Sequence, residues 1–369
     1  MSPGKSPSAP NRHGPPAGPT GTPRLAGPEA ARPAAKIAGM SAPPATTCEL
    51  RQQGGLRVLT WPALNQAARP SPKPDASPPD APPPAARGAE VMVTTRHGGV
   101  STGPYATLNL SFSVGDDPDA VLENRQRVAA ALGADLADFV FARQVHGGQA
   151  QVVSAAERGR GTLDVEDAIG PVDALVTRDP GTVLAILVGD CVPIVLYDPV
   201  AHVLAGVHAG WRGTVAGVSQ AALAAMATLG SRPADVVAGI GPAIAPDRYQ
   251  VGDDVRAGIE AGLGDEAASV LRPDGTGRWL LDLWSANRKM LARAGVPDSQ
   301  IHVAAVPTGP GEPGDLAGHG QDNDEGGDTA AGGLFFSDRT ARPCGRFALV
   351  ARLTGGDATA TPTTGRRSR

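Results

Sequence analysis

The segment from Gly170 to Gly210, GPVDALVTRDPGTVLAILVGDCVPIVLYDPVAHVLAGVHAG, constrains the fold more than any other part of the chain. Its short runs of Val, Ile and Leu predict three buried strands, separated by turns at Asp179-Pro180 and Asp198-Pro199. The middle run, AILVGDCVPIVLY (185–197), is interrupted at its centre by Gly189, Asp190, Cys191 and Pro193. A carboxylate and a thiol placed where a hydrophobic stretch breaks are candidates for chemistry.

Further strands are expected over 89–96, 235–244 and 346–353. The spacing predicts a helix over 117–132, with Asp117 as cap, Pro118 in the first turn and Gly133 as stop. Two more are predicted over 219–230, ended by Gly230, and over 281–295. Strands and helices alternate only in places, and consecutive strands also occur. The expected fold is therefore α/β, a mixed-sheet α/β sandwich in a single domain, rather than a strictly parallel doubly wound sheet.

Proline use divides the chain. Of its 36 prolines, 20 fall in the first 88 residues, where segments such as RPSPKPDASPPDAPPPAARG cannot bury enough apolar surface to offset chain entropy. Residues 1–88 are expected to be a disordered Pro/Ala/Gly-rich extension, with LRVLTWPAL (56–64) able to add a short strand to the core. The catalytic domain is expected over 89–354, with a flexible tail over 355–369. Residues 309–333 are rich in Gly and acidic residues and read as a solvated loop insertion. A calcium site is the sharper alternative there, but the acids lack the regular EF-hand spacing.

A net charge of −4 over 369 residues implies no polyanion partner, so nucleic acid is not expected. The longest apolar run is well below membrane-spanning length. Cysteines at 48, 191 and 344 are too few and too scattered for a disulfide framework, and no apolar h-region follows Met1. The expected setting is soluble, reducing and cytoplasmic.

Thiolate and imidazole are preferred zinc ligands. His146 in RQVHGG, Cys191 in VGDCVP and His208 in GVHAGWRG each sit beside glycine or at a strand break, where the backbone allows close approach. Three protein ligands with an open position would make a catalytic rather than a structural zinc. The spacing contains no compact C-x-x-C or H-x-x-x-H, so two ordinary turn histidines and a buried inert thiol remain the alternative on residues alone.

The motifs TTRHGGVS (94–101), YATLNL (105–110), VGDDPDAVLENR (114–125), RQVHG (143–147), DALVT (173–177), GDCVP (189–193), HAGWRGT (208–214), IGPAI (240–244) and FFSDR (335–339) occur in this order. By them the chain resembles the purine nucleoside phosphorylase family also described as laccase-domain or polyphenol oxidase-like proteins, over nearly all of 89–354. The resemblance implies an α/β sandwich and a metal site on His146, Cys191 and His208. It also implies phosphorolysis of adenosine, inosine and methylthioadenosine to free base and sugar 1-phosphate, with some adenosine deamination. The chain departs from the family pattern at Val188-Gly189, where Thr-Ala is usual, at Pro307-Thr308 for Cys-Thr, and at Asp338-Arg339 for a paired arginine.

On this reading zinc is the cofactor, with a small nucleoside and phosphate as partners. Arg96 and Arg212 are candidates to bind phosphate, because the planar guanidinium pairs with oxyanions; structural ion pairing is the alternative for each. Asp190 could orient a ligand histidine or move a proton, or only cap a turn. Asn109 could hydrogen-bond substrate or stabilise a turn, and Trp211 could stack on a purine or pack in the core. His-Cys-His is also the blue-copper ligand set, so copper can occupy the site in vitro. Six core histidines, none in a His-x-His pair, argue against a multicopper oxidase. Two other readings stand beside the phosphorylase. One is a cysteine-type amidase acting on cell-wall precursors, with Cys191 as nucleophile and His208 or His146 as base. The other is a non-enzymatic zinc-stabilised binding module whose proline-rich N-terminus docks a partner.

Overall fold

Alternation of side chains decides the architecture. In the strand Val183–Val188, Val183 and Ala185 enter one apolar cluster, while Leu184, Ile186 and Val188 enter another. In Val192–Asp198, Val192, Ile194 and Leu196 face away from Val195 and Tyr197 in the same manner. Strands that are apolar on both faces need a packed layer on each side. The computed structural model, which describes residues 48–65, 87–310 and 333–355, supplies those layers with two mixed six-stranded sheets packed face to face.

The first sheet has the order β1 (Glu49–Gln53), β2 (Leu56–Thr60), β3 (Gly88–Thr94), β15 (Phe347–Thr354), β7 (Val183–Val188) and β4 (Phe139–Phe141). Its pairs are antiparallel except β7 with β4. The second has the order β14 (Ile301–Val303), β10 (Val237–Ile240), β8 (Val192–Asp198), β9 (Val203–Ala209), β6 (Ala174–Thr177) and β5 (Ala150–Val152). It is parallel at its two outer pairs and antiparallel between them. A small antiparallel sheet joins β11 (Gln250–Val251), β13 (Trp279–Leu281) and β12 (Leu271–Pro273).

One core lies between the two large sheets, with Leu184, Ile186, Val195, Leu204, Phe347 and Leu349 among its members. The outer face of the first sheet is covered by α2 (Pro118–Leu132) through Val128, Ala129 and Leu132. The outer face of the second is covered by α4 (Val218–Thr228), α5 (Asp253–Leu263) and α6 (Leu283–Arg293). Each fully buried aliphatic side chain contributes roughly 1.5–3 kcal/mol. Ile186→Ala in the central layer would therefore cost about 2–5 kcal/mol, since its neighbours on two sheets cannot collapse together.

The predicted mixed-sheet α/β sandwich is the observed fold. The helix over 117–132 is α2, with the Asp117 carboxylate accepting from the Asp119 N–H and Gly133 in the left-handed conformation that ends it. One expectation changes. Residues 174–209 form four strands rather than three, because Gly189, Asp190 and Cys191 carry the chain out of the first sheet (β7) and into the second (β8). The interruption in the apolar run is a change of layer.

The N-terminal boundary also moves. Cys48–Asn65, inside the stretch expected to be an extension, forms β1, β2 and the short α1 (Pro62–Asn65). Trp61 and Leu64 are fully buried, and a Cβ on Gly239 of β10 would lie 2.7 Å from Leu64 and 3.1 Å from Trp61. The segment 56–64 supplies the strand that its apolar run allowed, and core side chains with it. Residues 1–47 and 66–86, most of the 309–333 insertion with its calcium alternative, and the tail from 356 lie outside the described residues. No helix among the described residues is long and apolar enough to cross a membrane.

Candidate active site

The change of layer delivers Cys191 to the head of β8. Pairing of β8 with β9 sets Pro193 opposite His208 and Val192 opposite Ala209, so His208 and Cys191 emerge at the same end of adjacent strands. His146 reaches the same point from the loop between β4 and β5, at a φ of 59°. One donor atom from each of the three residues lies within 4.8 Å of the others. The two imidazole rings meet edge to face, with centroids 4.7 Å apart. Gly210 makes room, since a Cβ there would come 2.7 Å from the Cys191 Sγ and 3.3 Å from the His146 ring.

A fourth residue holds this arrangement. Asp173, fully buried just ahead of β6, accepts the N–H groups of Val145 (3.2 Å), His146 (2.9 Å) and Gly147 (2.6 Å). Its Oδ1 also lies 2.8 Å from the His208 Nδ1. One carboxylate thus fixes the left-handed loop that carries His146 and assigns the His208 tautomer, leaving Nε2 for the donor cluster.

Burial would raise the Asp173 pKa, but the His208 hydrogen bond and the backbone N–H groups outweigh it and hold the carboxyl below its usual range. Burial likewise opposes ionisation of Cys191, yet the His208 charge and hydrogen bonds from both imidazoles bring its pKa down to about 6. His208 is pushed up to about 9, because the Cys191 and Asp173 charges overcome its desolvation. Thiolate is the ligating form of cysteine. The donor set, its spacing and the buried carboxylate behind it all fit a soft or borderline divalent cation.

The triad opens into a cleft of roughly 610 Å³, which also carries Trp211, Arg212, Tyr249 and Arg339. The family described as "Multi-copper polyphenol oxidoreductase laccase" matches residues 90–354. The chain belongs to this laccase-like family. Purine nucleoside phosphorylase YlmD of Geobacillus stearothermophilus is 41% identical over 222 residues, covering 60% of this chain and 81% of that protein. Its crystal structure superposes with a TM-score of 0.63 at 36% identity, covering 72% of this chain and 91% of that one. A purine nucleoside phosphorylase of Deinococcus radiodurans is 48% identical over 206 residues, covering 56% and 75% of the two chains. "Adenosine deaminase RL5", from an unknown prokaryotic organism, is 39% identical over 214 residues, covering 58% and 82%.

This laccase-like site uses the sequence candidates unequally. His146, Cys191, His208, Asp190, Trp211 and Arg212 all line the cleft. At the start of α3 (Trp211–Val215), the guanidinium of exposed Arg212 lies 4.4 Å over the ring of half-buried Trp211. Asp190 does not orient a histidine. Its Oδ1 accepts from the Thr308 hydroxyl (2.5 Å) and its Oδ2 from the Arg339 backbone N–H (2.7 Å). The histidine-orienting position belongs to Asp173.

Arg96 and Asn109 are not among the residues lining the cleft. Nε and Nη2 of Arg96 both donate to the Ala106 carbonyl, at 2.9 and 2.7 Å, and its guanidinium covers the Phe336 ring. Asn109 is fully buried and accepts the Arg346 N–H at 2.8 Å while donating to Asp116 at 2.9 Å. Both organise loops, which takes the polar atoms that a substrate contact would need. The residues that sequence reasoning did not single out are Asp173, Tyr249 and Arg339. Asp173 and Arg339 stand inside DALVT and FFSDR, so the motifs marked the segments without marking the side chains.

Proposed function

We propose that the chain is a zinc-dependent purine nucleoside phosphorylase, converting adenosine, inosine and methylthioadenosine to free base and sugar 1-phosphate, with adenosine deamination as a second activity in a cytoplasmic setting. The observation that carries this reading is a thiolate–imidazole triad opening into the same cleft as Arg212 and Arg339, which have no carboxylate partner among the described residues. The names of the similar proteins point the same way.

His146, Cys191 and His208 would hold the zinc, with Asp173 behind His208 and the His146 loop. Bound there, zinc supplies Lewis acidity to a substrate atom. Arg212 binds phosphate through its planar fork, and Trp211 beside it offers a face for the purine. In phosphorolysis a phosphate oxygen bonds to the sugar C1′ and the glycosidic C–N bond breaks. The electron pair leaves with the base, which takes up a proton. Burial first, and then the charges of Cys191 and Asp190, raise the Tyr249 pKa, so its phenol stays protonated and can donate a hydrogen bond to the leaving base. In deamination, water replaces the exocyclic amine, which leaves as ammonia.

A second reading rests on one observation. The depressed Cys191 pKa beside a raised His208 is also the pairing of a cysteine nucleophile with its base, as an amidase would use. Oxidase chemistry of the multicopper kind has less support, because it needs several metal clusters and the described residues offer this one triad of donors.

Incubation with adenosine, with and without phosphate, followed by separation of products, tests the proposal. Adenine and sugar 1-phosphate formed only with phosphate is the expected result. Inosine alone would reduce the activity to deamination. No product from metal-replete protein under either condition would contradict the reading.

A further inference from the structure

The arginines of the cleft rim are not equivalent. Arg342 and Arg346 both pair with the Asp338 carboxylate, Arg346 at 2.8 Å. Two guanidiniums on one carboxylate leave a partly neutralised pair. Arg212 and Arg339 have no carboxylate partner among the described residues, and both line the cleft. Arg339 is steered by other contacts. Its Nη1 donates to the Gln250 carbonyl at 3.1 Å, and its guanidinium carbon stands 5.4 Å over the Tyr249 ring. The Tyr249 hydroxyl, whose pKa burial raises most, also senses the charges of Arg339 and Arg212 and, with opposite sign, those of Cys191 and Asp190. All of these groups line the one cleft.

What holds Arg339 there is Asp190. The rim comes from two segments on either side of the insertion, 307–310 and 333–346. They meet where the Gly309 N–H donates to the Phe335 carbonyl at 3.1 Å. The carboxylate of Asp190 bridges both, with Thr308 on Oδ1 and the Arg339 N–H on Oδ2. Its own carbonyl accepts the Ile244 N–H at 3.0 Å, which ties the bridge to the end of the second sheet. Each carboxylate oxygen is thus spent on the rim rather than on a histidine.

We propose that Arg212 and Arg339 form the oxyanion subsite of the cleft, and that Asp190 is the positioning residue which sets Arg339 in it by clasping Thr308 and the Arg339 backbone. The ligand class is a tetrahedral oxyanion, inorganic phosphate in the first place. As a phosphate co-substrate this rests on the phosphorylase reading; as a binding site it stands without it.

The test uses the full-length chain, with inorganic phosphate as probe in titration calorimetry and adenosine phosphorolysis as a parallel readout. Asp190→Ala and Arg339→Ala should each weaken phosphate binding about tenfold, the loss of one charge-assisted contact. The double variant should be no weaker than either single, because the two act through one contact. In kinetics, the KM for phosphate should rise by more than kcat falls. Asp190→Asn should restore the affinity lost in Asp190→Ala, since an amide oxygen can still accept the Arg339 N–H while the amide nitrogen donates to the Thr308 hydroxyl.

Additive losses, an Asn variant as impaired as the Ala variant, or an unchanged phosphate affinity in Arg339→Ala would overturn the proposal. So would a wild-type chain that does not bind phosphate. If Asp190→Ala fails to fold, Thr308→Val decides: a several-fold weaker phosphate site supports the clasp and an unchanged one refutes it. Heat of phosphate binding that depends on Arg339, in a chain that turns over no nucleoside, would keep this subsite and refute the phosphorylase reading.

Discussion

The donor triad and the arginine rim face one cleft but are held by different means. The triad stands on strands. Cys191 and His208 sit at the matched ends of β8 and β9, and the loop bearing His146 is pinned by three N–H bonds to a carboxylate with no solvent exposure. The rim stands on irregular segments joined by single side chains: Asp190 to Thr308 and Arg339, Asn109 to Arg346, Asp338 to Arg342 and Arg346. Asp173 and His208 are buried, so the bonds to this carboxylate have little water to substitute for them, although His146 itself is exposed. At the rim Arg339 and Arg342 are exposed, and there a side-chain partner can be exchanged at small cost. The difference teaches that the donor triad is set by the fold, while the arginine rim is set by a few single side-chain contacts.

The largest expected effect comes from breaking the triad. His208→Ala should abolish both nucleoside products while circular dichroism shows a folded chain, because its neighbours on β9 remain fully buried. Retained turnover would remove the metal from the mechanism. Next is the buttress. Asp173→Ala should weaken metal affinity by about 10–100-fold, as loss of an outer partner of a ligand histidine typically does. It should also lower the melting temperature, because His208 and three N–H groups of the 145–147 loop lose a buried acceptor.

The electrostatics can be tested directly. In metal-free protein, alkylation of Cys191 by iodoacetamide should have its midpoint near pH 6 instead of the ordinary thiol value of 9, since the folded state favours the thiolate. The rate should rise with pH through that midpoint, and added zinc should protect. At the rim the effects should be smaller. Arg212→Ala should raise the KM for phosphate about tenfold, by loss of one charge-assisted contact. Smallest at the site, Arg96→Ala should leave that KM unchanged but cost about 1–2 kcal/mol of stability, since its guanidinium serves the Ala106 carbonyl.

Much of this was legible in the residues, and for physical reasons. Asp117, Pro118 and Gly133 mark α2 because cap and stop chemistry is local. The β7 and β8 runs read as buried because both faces of each strand are apolar. Their assignment to different sheets was not legible, since layer is a property of pairing partners as distant as Phe347 and Ala209. Cys191, His146 and His208 stood out by glycine neighbours and motif. Asp173 did not, because a carboxylate ahead of a strand looks like a turn residue until its partners, 27 residues before and 35 after, are folded onto it. The exchange of roles between Asp190 and Asp173 has the same origin. Asp190 lies in the bend between β7 and β8, where its carboxylate meets the rim, while Asp173, just ahead of β6, meets the histidine.

The proposed metal site needs the strand crossover at Gly189–Cys191 to bring sulfur to two imidazoles around one cation. Elemental analysis of the full chain, purified without added metal, alongside His146→Ala, Cys191→Ala and His208→Ala, tests this most directly. About one zinc per wild-type chain, lost from each variant, is the predicted result for a three-ligand site. Zinc retained at full occupancy in Cys191→Ala, or a wild-type chain that takes up none from zinc-containing buffer, would contradict it.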